Sequence, residues 1–147
     1  MTLVIGIGNR DRGDDAAGLM VTDRLRGAVS QRVSVMQFDG DSTRALVEMA
    51  AVEHVVIVDA MPSTGHPGRM HRLDVTQDGD VAAYRGSSTH GLGAGDVIQL
   101  ARALGTLPRK TVVYGIEGKD FELGHGLTRC VDEAIPIVVA RILEEVG

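Results

Sequence analysis

The sequence is poor in cysteine, in aromatic residues and in positive charge. Cys130 is the one cysteine among 147 residues, which excludes an intramolecular disulfide and a zinc site built from several cysteines, and suits the reducing cytosol. Two Phe, two Tyr and no Trp leave little material for a surface on which bases could stack. The net charge of −5 provides no general attraction to nucleic acids or anionic membranes. We therefore expect a cytoplasmic protein with neither nucleic acid nor membrane as partner.

Long apolar runs and several common motifs are also missing. No apolar run approaches the roughly 20 residues of a membrane-spanning helix, and the N-terminus lacks the basic and apolar regions typical of a signal peptide. The pair Gly6 and Gly8 lacks the third glycine of the dinucleotide fingerprint. There is no Gly-Lys-Ser/Thr phosphate loop and no Gly-x-Ser-x-Gly elbow. We therefore expect no organic cofactor.

Apolar residues make up 44% of the chain, and their arrangement predicts an α/β fold. A chain of this length predicts a single domain over residues 1–147. The predicted strands are residues 2–7, 33–36, 54–58, 69–73 and 111–114, and the predicted helices are residues 14–28, 42–49, 94–104 and 128–146. This alternation predicts a mostly parallel sheet with helices on both faces, and the short segment 69–73 is predicted as an antiparallel edge strand.

The stretch from Ile5 to Gly18 combines the end of a strand, a glycine turn and two adjacent carboxyl groups. In an open α/β sheet, such a point is the carboxyl end of a strand, where ligands usually bind. A phosphate site needs bare N–H groups and positive charge, so Asp14 and Asp15 favour a cation site or carboxylate chemistry instead. Asp14 is predicted to cap the helix. Asp15 is predicted to be a ligand, with a merely favourable position on the helix dipole as the alternative.

Two further polar residues are predicted to reach the same edge of the sheet. Asp59 directly follows the apolar run 55–58, and His90 lies in a glycine-rich stretch before a helix. Two carboxylates and one imidazole with open positions suit a divalent transition metal, which could polarise a carbonyl or activate water. His90 could instead serve only the start of the helix.

The chain has other acids, four further histidines and a cysteine that could carry chemistry. Asp39 and Asp96 are the alternative acids for the site. The remaining histidines are predicted to be loop or surface residues, namely His54, His66, His71 and His125. Cys130 lies beside the apolar stripe of the last helix and is predicted to be a core residue and not a nucleophile.

Four stretches of the chain carry a resemblance to a known family over nearly its whole length. They are Gly6-Ile7-Gly8-Asn9 with Asp14-Asp15 and Gly18, Val58-Asp59-Ala60, Ser88-Thr89-His90-Gly91-Leu92, and Tyr114-Gly115-Ile116-Glu117 followed by Gly126-Leu127-Thr128. With these motifs the chain resembles the maturation endopeptidases of nickel–iron hydrogenases. Those enzymes remove a C-terminal peptide from the precursor of the hydrogenase large subunit after nickel insertion.

The resemblance implies both a fold and a site. It implies a three-layer α/β/α fold, with a twisted sheet of about five strands between helical layers. Carried over residue by residue, it makes Asp15, Asp59 and His90 the catalytic and metal-contacting residues, Asp15 standing where the family often has Glu. It also implies a large-subunit precursor as the protein partner, and nickel presented by that precursor instead of a permanent cofactor. It leaves open whether a carboxylate or a metal-bound water is the nucleophile.

Two other functions stay open at this point. The same three residues would serve a non-proteolytic binding module or chaperone that senses the metal loaded into a metalloenzyme precursor. They would also serve a metal-dependent hydrolase of a small molecule, which would carry a permanently bound ion. The mass of a precursor after incubation separates an endopeptidase from a binder, and elemental analysis of the purified protein tests for the resident ion.

Overall fold

Five strands form one sheet in the order β2-β1-β3-β5-β4. The computed structural model describes residues 1–38, 42–78 and 93–147, without the side chains of residues 42, 77 and 78. The strands are β1 (Thr2–Ile7), β2 (Val33–Phe38), β3 (His54–Met61), β4 (Met70–Asp74) and β5 (Lys110–Glu117). The first three and β5 are parallel, and β4 is antiparallel to β5 at one edge. The predicted fold class and edge strand are thereby confirmed.

The observed β3 and β5 continue beyond their predicted ends. The predictions stopped where each apolar run stopped, at Val58 and Tyr114. In the structure the two strands stay paired, with Asp59 opposite Gly115 and Met61 opposite Glu117. Main-chain hydrogen bonds to a neighbouring strand keep these residues extended although the apolar run has ended. The side-chain pattern of a single segment does not reveal that pairing. Asp59 therefore lies within a strand instead of after one.

Helices cover both faces of the sheet. They are a 3-10 helix (Gly13–Ala16), α1 (Ala17–Leu25), α2 (Ser42–Ala50), α3 (Val75–Asp78), α4 (Ala94–Leu104) and α5 (Arg129–Val146). One core joins α2 and α4 to the sheet, and the other joins α1 and α5 to its opposite face. Successive residues of β1 supply the two cores in turn, Ile5 the first and Val4 the second.

Two helices differ from expectation in detail. The predicted helix 14–28 is split into the 3-10 helix and the shorter α1. The last helix runs through Pro136, which lies on an exposed face, so the carbonyl group that loses its partner there can bond to water. In the ranges that the structure describes, no helix combines the length and apolar character needed to cross a bilayer.

Gly18 sets how closely α1 approaches the sheet. A Cβ atom at this position would overlap the main-chain oxygen of Val58 and lie 2.6 Å from that of Ile7. Both are main-chain atoms of paired strands, so they cannot move aside without shifting the sheet. The missing side chain therefore allows α1 to pack directly on β1 and β3, next to Asp15 and Asp59.

We expect Gly18→Ala to lower the free energy of unfolding by about 3 kcal/mol, because overpacking forces α1 away from the strands. Urea denaturation followed by circular dichroism measures the loss. Gly126→Ala is the matched control, since a Cβ at Gly126 has no heavy atom within 4 Å, and the change should be neutral or stabilising by up to about 1 kcal/mol. Equal stability of the Gly18 variant and the wild type would contradict this account of the packing.

Candidate functional site

The turn after β1 holds the carboxyl group of Asp15 at the carboxyl edge of the sheet. Gly8 has a φ of 156°, and a Cβ there would overlap the main-chain oxygen of Asp15. The main-chain N–H of Asn9 donates a hydrogen bond of 3.0 Å to Asp15 Oδ2. Asp15 is 8% exposed. The glycine turn thus folds back on Asp15 and orients its carboxyl group, as the ligand prediction requires.

Asp59 is a fully buried carboxyl group near the end of β3. The main-chain N–H of Ala94, at the start of α4, donates a hydrogen bond of 3.2 Å to its Oδ2. Its Oδ1 is buried and has no hydrogen-bond partner among the described residues. Burial, the largest cause, and the charges of Asp15 and Asp96 together raise the pKa of Asp59 to about 8, against the opposing effect of main-chain hydrogen bonds, chiefly that from Ala94. A carboxyl group with this pKa holds a proton at neutral pH, in a place where a cation could replace it.

The structure brings two of the three predicted site residues together. Asp15 follows β1 and Asp59 belongs to the neighbouring β3, and the charge of the first acts on the second. His90, the third, lies outside the described residues, and so does Asp39. The alternative acid Asp96 accepts a hydrogen bond of 3.2 Å from the N–H of Gly93. It therefore lies in the first turn of α4, whose first residue, Ala94, contacts Asp59. Two adjacent carboxyl groups with one unpaired oxygen can hold a divalent cation.

The prediction that Asp14 caps its own helix is wrong. Arg12 precedes the 3-10 helix, and no side chain caps that helix. The buried carboxylate of Asp14 instead accepts hydrogen bonds from the N–H groups of Lys119, Asp120 and Thr128 at 2.7, 3.1 and 2.7 Å. The Thr128 hydroxyl lies 3.0 and 2.8 Å from its two oxygens. Asp14 therefore fastens the loop after β5 and the start of α5 to the site, through donors that are distant in sequence.

Glu117, at the end of β5, is a further buried acid that the residue-by-residue reasoning missed. It is 0% exposed, and its Oε1 accepts hydrogen bonds from the Thr64 N–H and hydroxyl groups at 2.7 and 3.0 Å. His71 Nε2 lies 2.6 Å from its Oε2, and this contact is the main reason that the pKa of Glu117 falls to about 2. An acid at a strand end, the signal that singled out Asp59, would also have singled out Glu117.

Two of the remaining histidines lie in strands that were predicted to contain them. His54 begins β3 and His71 lies in β4. Both residues are half-buried, and His71 pairs with the buried Glu117. The surface prediction for His71 did not include this partner, because it belongs to another strand and no local pattern shows it.

A second group of potential ligands lies on the loop after β5. The side chains of Asp120, Glu122 and His125 offer atoms within 4.8 Å of one another. His125 Nδ1 lies 2.7 Å from Asp120 Oδ2, and Glu122 and His125 are exposed to solvent. The exposed groups of this loop are hydrated and pair with one another. Asp59 Oδ1, which is buried without a partner among the described residues, therefore has more to gain from a cation.

Comparison with known proteins gives one consistent result. A family model described as HycI, hydrogenase maturation protease, matches residues 21–145. The hydrogenase 2 maturation protease of Escherichia coli (strain K12) is 30% identical over 146 residues, covering 96% of this chain and 87% of that protein. The hydrogenase expression/formation protein HupD of Rhodobacter capsulatus is 27% identical over 150 residues, covering 97% of this chain and 70% of that protein.

Solved structures agree with the sequence comparisons. The hydrogenase maturating endopeptidase HybD from E. coli superimposes with a TM-score of 0.81 at 28% identity, covering 98% of this chain and 90% of that chain. The nickel–iron hydrogenase maturation protease HycI from Thermococcus kodakarensis KOD1 gives a TM-score of 0.76 at 25% identity, covering 97% of this chain and 90% of that chain.

We expect Asp14→Asn to lower the free energy of unfolding by about 3 kcal/mol, because an amide keeps one acceptor oxygen and leaves buried donors unpaired. Hydrogen exchange should also become faster at the amides of Lys119 and Thr128. The exposed Asp132 offers a matched control, and Asp132→Asn should change stability by about 0.5 kcal/mol or less. Unchanged exchange at both amides in the Asp14 variant would refute the anchoring role.

We expect Glu117→Gln to lower the free energy of unfolding by about 2 kcal/mol at neutral pH, because the bonds to Thr64 and His71 lose their charge. The pKa of Glu117 is lowered by folding, so its contribution is complete above the ordinary value of 4.5 and disappears as the pH falls towards about 2. Guanidinium denaturation of both proteins as the pH is lowered measures the difference. A difference that stays constant across this range would contradict the assignment.

Proposed function

This chain belongs to the hydrogenase maturation protease family and is a hydrogenase maturation endopeptidase, and we propose that it recognises nickel held by its protein substrate. The family resemblance of the four motifs is thereby confirmed. The proposed substrate is the precursor of a nickel–iron hydrogenase large subunit, from which the enzyme removes the C-terminal extension. The single cysteine suits a reducing compartment, and we propose that the reaction takes place in the cytoplasm.

One observation carries the proposal. Asp59 Oδ1 is fully buried and unpaired among the described residues, beside the second acid Asp15. Burying a polar oxygen without a partner costs free energy, so such an atom at the ligand-binding edge of a sheet indicates a partner supplied from outside. Ionisation of Asp59 beside Asp15 would add the repulsion of two carboxylate charges to that cost. A divalent cation would remove both penalties at once.

The ligand set suits nickel carried by a substrate. Asp15 and Asp59 would each offer one carboxylate oxygen, and we propose that His90 adds an imidazole nitrogen. This mixture of oxygen and nitrogen donors fits a first-row divalent metal. A chain that supplies few ligands leaves positions open for those of the precursor. The site would then read whether the precursor is loaded, because an empty precursor brings no cation to the acids.

Cleavage follows from how the site holds its substrate. The bound nickel would supply Lewis-acid polarisation at the edge of the sheet. Asp15 is oriented by the Asn9 N–H group and Asp59 by the Ala94 N–H group, so neither carboxyl group has to reorganise on binding. Holding one peptide bond of the precursor next to these groups supplies rate and selects a single cleavage site through proximity.

We expect Asp59→Asn and His90→Ala each to slow precursor cleavage by at least about 100-fold, the order seen when one group acting at the reacting centre is removed. Mass spectrometry of the nickel-loaded precursor after incubation measures the released peptide. Asp132→Asn, an exposed change of the same kind, should cleave at the wild-type rate. Circular dichroism should show that the Asp59 variant stays folded, because Asn has nearly the shape of Asp.

The same assay can refute the proposal in three ways. Full cleavage by both the Asp59 and His90 variants would remove these residues from the site. An unchanged precursor mass with the wild-type protein would leave only a binding role. Cleavage of precursor that lacks nickel at the same rate would show that the metal is not what the site recognises.

A further inference from the structure

The open edge of β2 can accept another extended chain. β2 is the outermost strand, and within the part of the chain that the structure describes it pairs only with β1. Thr2 donates a main-chain hydrogen bond to Arg32, and Gly8 donates one to Phe38. Because N–H and C=O groups alternate in direction along a strand, residues of even number face β1 and Val35 and Gln37 face outwards. An outward row of this kind is a template for strand addition.

A cavity of about 500 Å³ lies along this edge. Val35 and Gln37 line it, together with Arg26, which directly follows α1, and Arg44 of α2. Because α1 and α2 cover opposite faces of the sheet, the cavity runs around the free edge of β2 from one face to the other. It therefore has the position that an added strand would occupy.

The lining of this cavity is cationic although the chain as a whole is acidic. Arg10, Arg26 and Arg44 line it, and no Asp or Glu does so among the described residues, whereas the net charge of the chain is −5. Arg10 donates to both carboxylate oxygens of Asp23 at 2.8 and 2.9 Å and to Gln37 Oε1 at 2.9 Å, so its charge is already balanced within this chain. Arg26 is exposed, and a guanidinium group pairs well with a carboxylate.

The cavity adjoins the proposed nickel site. Asn9 lines the cavity, and its main-chain N–H donates the hydrogen bond that orients Asp15. A chain bound along β2 therefore ends its path beside Asp15 at the carboxyl edge of the sheet. The backbone turn at Asn9 would then lie between the cavity that binds the substrate and the acids at the proposed cleavage site.

We propose that this cavity binds an extended, acidic segment of the protein substrate, which adds as a strand along β2 while one of its carboxylates pairs with Arg26. The strand edge favours a polypeptide, and Arg26 favours an acidic side chain on it. This inference rests on the proposed function, in which the substrate is a precursor protein. It adds a recognition surface separate from the metal-contacting residues.

The test uses the nickel-loaded large-subunit precursor from the same genome and full-length protein variants. Arg26→Glu should raise KM about tenfold and leave kcat within about twofold, because a docking contact contributes to binding and not to the chemical step. Arg26→Lys should stay close to wild type, since it keeps the charge. Arg24→Glu is the matched control, because Arg24 is exposed in the last turn of α1, two residues before Arg26, and does not line the cavity. Equal KM values for the Arg24 and Arg26 variants would overturn the proposal.

A second pair of variants tests strand addition itself. Val35→Pro removes an outward N–H group without breaking the ladder to β1, a position that an edge strand tolerates. Val35→Ala shortens the side chain and keeps the N–H group. The Pro variant should raise KM well above that of the Ala variant, with both folded by circular dichroism. Equal KM values would overturn docking by strand addition.

Binding measured apart from cleavage separates the two proposals. Biolayer interferometry on immobilised precursor should show weaker binding for Arg26→Glu than for Arg24→Glu, with a difference that shrinks as salt is added. If the wild-type protein binds but does not cleave, the proposed function fails and this difference still supports the docking surface. If the two variants bind equally while the wild type cleaves, the docking surface fails and the proposed function stands.

Discussion

The cost of burying a carboxyl group shapes the whole carboxyl edge of the sheet. Three acids there, Asp14, Asp59 and Glu117, are 0% exposed. Asp14 and Glu117 offset that cost with hydrogen bonds from loops that they hold in place and, for Glu117, from His71 of β4. Asp59 receives a hydrogen bond from Ala94, and its other oxygen has no partner among the described residues. The two satisfied acids build the edge, and under the proposed function a cation would satisfy the third.

Close packing also brings Asp15 and Asp59 near each other at this edge. Gly18 lets α1 lie on the main chain of β1 and β3, and Gly8 lets the turn fold back on Asp15. The same turn, through Asn9, borders the cavity beside β2. One short stretch of chain thus connects the two acids of the proposed nickel site, the helix that supports them and the proposed docking surface. A protease that cuts one bond in one precursor needs such a connection, because its selectivity depends on where the substrate is held.

The residue types and their order already pointed to much of this. A short continuous apolar run bounded by glycine predicted β1 with the observed ends, and the short polar segment after Gly68 was correctly predicted to be an edge strand. The proximity of Asp15 and Asp59 was predicted from the parallel strands alone, because the carboxyl ends of such strands meet at one edge of the sheet. What the local pattern hid was contact between distant segments. The donors to Asp14 lie in residues 119–128, and the partner of Glu117 is His71 in another strand.

By itself, the amino-acid sequence determined the fold class, the family and the two acids to expect at the site. These depend on periodicity and on short motifs, which are local properties of a chain. Only the tertiary structure decided that Asp14 anchors a loop instead of capping a helix, that Glu117 is buried and ionised, and that Asp59 Oδ1 has no partner in the described chain. The reason is physical: the free energy of a buried carboxyl group is set by the donors around it, and folding brings those donors from positions that no local pattern links.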